Sequence, residues 1–149
     1  MDFEQFFKSQ TRTRSVHHFR DIVFKDEASA HFAGCVINSS LFFYWFIVVG
    51  NGRNITGRDI EQFPADIPAY PSALGTLFRA LMEDYKNNSI IRERKDCMFQ
   101  EFRPSMSKPI IDKIDIELGK AFDFTDEETD FIINYDIKYR MGNAGGDEE

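Results

Sequence analysis

Asp84 followed by Glu93-Arg94-Lys95 is the grouping in this chain closest to a phosphodiester-cleaving site. One acid followed by Glu-x-Lys can hold a divalent ion beside a lysine, and such an ion polarises a phosphate. The proline–aspartate pair that precedes such groups in nucleases is missing, and the charges fall where a helix end is expected. A solvated helix face is therefore the expected reading. Arg53, Asn54, Thr56 and Arg58 point to different chemistry, because Arg and Asn make bidentate contacts to guanine and adenine edges. They follow Gly50-Asn51-Gly52, a turn that lacks the following helix and distant acid of a nucleotide loop. His17, His18 and His31 have no HxxxH partner, Cys35 and Cys97 no CxxC spacing, so no metal is expected. Ser39-Ser40 lack the GxSxG elbow of a serine hydrolase.

These residues sit in a chain of 149 residues with net charge −7 and sixteen phenylalanines. That length suits one domain or a piece of something larger. The charge is uneven: residues 1–60 balance to +1, residues 61–111 to 0 and residues 112–149 to −8. The acidity belongs to the last segment, so the rest is still able to face a polyanion. Two distant cysteines read as reduced thiols. The N-terminus carries acids and no apolar h-region, so no signal peptide is expected. The run Leu41 to Val49 is nine apolar residues long, against the roughly 20 that a membrane-spanning helix needs. A cytoplasmic protein with no membrane contact is the expectation.

The patterning predicts a predominantly helical α+β domain with one small sheet of short strands, over residues 1–141, and a disordered tail over 142–149. His18 to Phe24 reads as a strand from its β-branched and aromatic content. Ala28 to Val49 reads as helical, broken or capped at Asn38-Ser39-Ser40. Gly50 to Pro71 reads as loop, punctuated by Gly and Pro too densely for a long element. Leu74, Leu77, Phe78, Leu81, Met82 and Tyr85 keep the spacing of one helical face. Met98 to Phe102 is a second strand. Ser107 and Pro109 open a helix with Ile111, Ile114 and Leu118 on one face. Thr125 and Glu128 have capping-box spacing for a last helix, with Phe131, Ile132, Tyr135 and Tyr139 on its apolar face. Lys138 and Arg140 complement its C-terminal dipole before Gly142 stops it. The greasy run itself is expected to be a core helix that anchors the Gly50–Arg58 loop.

Two stretches carry a family resemblance. NSSLFFYW, followed by NGRNITGRDIEQFP, is similar to a recurring pattern of adenine-N6 DNA methyltransferases: an "LNS-LF-Y" helix, a loop, then "DI--FP". RPSMSKPIIDKIDIELGKAFDFTDEETDFIINYDIKYRMG resembles the extreme C-terminus of type IIG restriction–modification proteins, in which methyltransferase and often endonuclease share one polypeptide. Together the matches cover roughly residues 34–68 and 103–142. The resemblance implies a target-recognition and scaffold segment that grips double-stranded DNA while a catalytic domain, in cis or in trans, flips and methylates an adenine. It implies S-adenosylmethionine as cofactor of the parent enzyme. The Asn/Asp-Pro-Pro-Tyr/Phe motif and the Gly-rich S-adenosylmethionine loop are both missing from this sequence. No cofactor and no catalytic residue are carried over, and the chain alone is expected to be inactive.

The base-contact candidates are Arg53, Asn54, Thr56 and Arg58. The phosphate candidates are Lys8, Arg12, Arg14, Arg92, Arg94 and Lys95. The alternative is a structural interaction module whose acidic helical end, residues 107–141, packs on a methyltransferase domain without touching DNA. A stand-alone nuclease on Asp84, Glu93 and Lys95 ranks behind both.

Overall fold

Asp26 accepts hydrogen bonds from both the backbone N–H and the hydroxyl of Ser29, at 2.7 Å each, and so starts helix α1, Glu27–Ile37. The computed structural model describes residues 6–8, 21–50, 53–67, 69–94 and 97–141. Within them α1 is followed by α2 (Ser40–Val49), α3 (Gly57–Glu61) and α4 (Ala73–Asn87). Strands β2 (Ile90–Arg94) and β3 (Cys97–Glu101) come next, after the early strand β1 (Phe6–Lys8). A 3-10 turn at Pro104–Ser107 leads into α5 (Lys108–Ala121), α6 (Asp126–Asn134) and α7 (Ile137–Met141). The result is a predominantly helical α+β fold with one small sheet, as the patterning predicts.

The sheet is antiparallel throughout, with order β1-β3-β2. Its register sets Lys8 and Arg94 opposite Cys97, one on each side of the central strand. Tyr85 of α4 meets Phe102 at 6.0 Å between ring centroids, and Gln100 donates to the Ser89 hydroxyl at 2.6 Å. These contacts tie the sheet to the end of α4.

The helical core centres on α5, where Ile114 and Leu118 are fully buried, with Ile111 beside them. Leu74, Leu81, Met82 and Tyr85 of α4 are buried against it, and Phe32, Cys35 and Val36 of α1 pack on α4. The thiol of Cys35 donates to the Leu74 carbonyl at 3.5 Å, and burial pushes its pKa up to about 12. α5 and α6 approach closely at Gly119, where an added Cβ would lie 2.5 Å from Thr129 Oγ1.

The break within the apolar run is built by its polar residues. Asn38 donates to the Gly34 carbonyl at 2.8 Å, closing α1. Ser39 donates its hydroxyl to the Val36 carbonyl at 2.6 Å and accepts from the Phe42 N–H at 3.0 Å, so one side chain ends α1 and caps α2. The two helices meet at a bend of 65°, and among the described residues no single helix is long and apolar enough to cross a membrane.

Four expectations are corrected. Residues 18–20 of the expected strand lie outside the described residues, while Asp21–Phe24 has no regular structure and Val23 is 91% exposed. No strand pairs with that segment among the described residues, so β propensity alone does not hold it. The Gly50–Pro71 loop contains α3, closed by Thr56 and Asp59. Glu93 and Arg94 lie on strand β2, not at a helix end, because pairing with β3 overrides local pattern. The last helix is two helices, divided at Tyr135-Asp136, where Asp136 has φ 54°. The tail, residues 142–149, lies outside the described residues.

That division turns Arg140 inward. Its Nη2 donates to Ser40 Oγ at 2.7 Å, its Nη1 reaches the Ile133 and Tyr135 carbonyls, and its guanidinium lies 4.9 Å from the Phe43 ring centroid. Ser40, with no solvent exposure, donates its N–H to Asp115 Oδ1 at 2.8 Å. Asp115 is 3% exposed, and its Oδ2 has no hydrogen-bond partner among the described residues. Burial raises its pKa to about 6, against the opposing pull of the Ser40 hydroxyl and amide and the Arg140 charge. In the unfolded chain this carboxyl titrates at about 3.9. The folded state thus binds the extra proton between those values, and ionisation costs stability as pH rises through about 6.

Asp115→Asn keeps an acceptor for Ser40 and removes the titration. The wild type should gain stability relative to this variant as pH falls from 7 towards 4, by at most about 3 kcal/mol. Urea unfolding at several pH values checks this. A difference that moves the other way would mean that Arg140 keeps Asp115 ionised.

Candidate functional site

The nucleic-acid candidates fall into two groups. Arg53, Asn54, Thr56 and Arg58 are exposed on the segment that leaves α2 and turns into α3. Thr56 is occupied structurally: its hydroxyl and N–H donate to Asp59 Oδ2 at 2.6 and 2.7 Å. The Thr56 hydroxyl, then its amide, hold the Asp59 carboxyl below its ordinary value. The second group belongs to the sheet. Arg92 pairs with Glu101 at 2.6 Å, and the register brings Lys8 and Arg94 to one end. Arg12, Arg14 and Lys95 lie outside the described residues.

The grouping around Asp84 does not assemble as a metal centre among the described residues. Asp84 accepts from the Ser107 hydroxyl at 2.5 Å, tying α4 to the 3-10 turn, while Glu93 is exposed on β2. Among the described residues no three His, Cys, Asp or Glu side chains come together so that they could hold a metal ion.

An apolar groove of about 520 Å³ lies between α2 and α6. Tyr44, Trp45, Val48 and Val49 form one wall, Phe131 and Ile132 the other, and Phe63, Phe122 and Phe124 the floor and end. Its aromatic rings brace each other edge to face: Trp45 on Phe63 at 5.5 Å, Phe63 on Phe122 at 6.0 Å and Tyr44 on Phe131 at 5.7 Å. T-shaped pairs at these separations are favourable beyond their buried area. Among the described residues, the only charged ones lining the groove are Glu127 and Glu128, in the first turn of α6. Glu128 is held in the capping box by the Thr125 N–H at 2.8 Å. Glu127 has no ion pair or hydrogen bond through its side chain among the described residues.

The greasy run is thus only partly core. Leu41, Phe42 and Phe46 are buried, but Val48 and Val49 are each 60% exposed. Periodicity does not reveal the groove because α2 is apolar on every side, so no stripe distinguishes its inward face. The Asp115 network does leave a readable signal, an acid four residues after Ile111 and three before Leu118, on the buried face of α5.

No family model, curated protein or solved structure matches this chain.

Substitutions along α2 should separate the two environments. Phe42→Ala should cost about 3–5 kcal/mol of stability. Val48→Ser should shift it by less than about 0.5 kcal/mol. Chemical denaturation of the two variants checks this, and a large loss at Val48 would mean that the groove is closed in solution.

Proposed function

We propose that this chain is a DNA target-recognition and scaffold segment of a type IIG-like restriction–modification adenine-N6 methyltransferase. The observation that carries the reading is the coupling of the two stretches on which the family resemblance rests. Ser40 of the NSSLFFYW stretch, Asp115 of DKID and Arg140 of KYR form one buried network. Segments far apart in sequence are therefore held as one physical unit in the fold. Beyond α2 the chain presents Arg53, Asn54 and Arg58 on an exposed segment, rigidified on its far side by the Thr56–Asp59 cap of α3. Arginine and asparagine there suit base edges in the major groove, and Lys8 and Arg94 are residue types that suit phosphates. Methyl transfer with S-adenosylmethionine belongs to a separate catalytic domain in this reading.

A second reading is favoured by the groove and its acidic rim. In it the helical end packs on the methyltransferase domain and DNA lies elsewhere. The two differ in what happens to duplex DNA.

Anisotropy titration of the chain with duplex DNA should show binding that weakens by tenfold or more between about 50 and 200 mM salt. Replacing Arg53 and Arg58 together with Ala should weaken it further, by about 1–3 kcal/mol for each arginine that reads a base. A folded chain that binds no duplex even at low salt would leave the packing reading in possession.

A further inference from the structure

We infer that the groove between α2 and α6 is a docking site for an amphipathic helix that carries large apolar side chains on one face and Lys or Arg beside them. The groove's walls are two helices, and the shape that fills a channel between two helices is a third. Among the described residues no strand contributes to its lining, so strand addition is not available there. Among the described residues its lining contains six aromatic residues and no basic one. Apolar surface continues past the groove onto Ile47, 38% exposed, and over the outer sides of Val48, Val49 and Phe131. These half-exposed apolar side chains, with Ile47 beside them, suit a polypeptide surface.

Charge selects among polypeptides. Glu127 and Glu128 stand on the rim, Asp126 adjoins them, and Glu127 has no side-chain partner among the described residues. A helix with basic residues flanking its apolar anchors would supply that partner, whereas an acidic helix would be repelled. A second copy of this face would offer these acids no opposite charge, because no basic residue lines the groove among the described residues. This docking surface stands whether or not Arg53 and Arg58 touch DNA.

Trp45 is the chain's only tryptophan and lines the groove, so its fluorescence reports occupancy directly. The test titrates the full chain with a Leu/Lys amphipathic peptide of about five helical turns, and with its Leu/Glu counterpart. The expected result is a saturable blue shift of Trp45 emission with the Leu/Lys peptide and at least tenfold weaker binding of the Leu/Glu peptide. Val48→Lys, at an exposed site, should reduce Leu/Lys binding tenfold or more with unchanged circular dichroism. Glu127→Lys should narrow or reverse the preference. Equal affinity for both peptides, or binding unchanged in Val48→Lys, would overturn the proposal. So would concentration-dependent dimerisation abolished by Val48→Lys, which would give the face to a second copy of the chain.

Discussion

Everything in the helical half turns on how the first residue of α2 is held. A helix start leaves backbone N–H groups without partners, and here one of them is buried. The Ser40 N–H is satisfied by Asp115, a carboxylate from a helix that lies much later in the chain. Arg140 then completes the arrangement from α7 by donating to the Ser40 hydroxyl. Removing water from these groups costs several kcal/mol per charge, and only good geometry recovers it. The arrangement links α2, α5 and α7 through one set of side-chain contacts. Everything downstream of α2, including the arginine-bearing segment and the groove wall, inherits the placement those contacts set.

Local signals in the sequence are legible where one residue and its near neighbours decide the structure. Asn38-Ser39-Ser40 marks the boundary between α1 and α2, because all three side chains are short hydrogen-bonding groups interrupting an apolar run. Thr125 and Glu128 mark the start of α6 for the same kind of reason. The stripe on α4 is legible because polar residues separate its apolar positions. The strand β2 is not, since Glu93 and Arg94 acquire extended structure only by pairing with β3. Nor is the turn at Asp136, where a non-glycine residue takes a left-handed conformation just before α7, the helix whose Arg140 bonds Ser40 of α2.

The candidate sites divide along the same line. Residue type alone nominates Arg53, Asn54 and Arg58, and the structure leaves them exposed. Type alone also nominates Thr56 and Arg92, and there the structure adds a neighbouring carboxylate, Asp59 for the first and Glu101 for the second. The groove has no signature in residue type, because it is made by what fails to be covered. A helix of ten residues, nine of them apolar, has more apolar surface than its neighbours bury, and the surplus gathers at Val48 and Val49.

The buried thiol of Cys35 has a consequence for observing the molecule in motion. Sealed between α1 and α4 and hydrogen-bonded to Leu74, it is neither accessible nor ionised in the closed fold. A thiol reagent can reach it only when those helices separate. Its rate of labelling is then a clock for the opening of the α1–α4 seam, read from a single sulfur atom and set by the free energy of that opening.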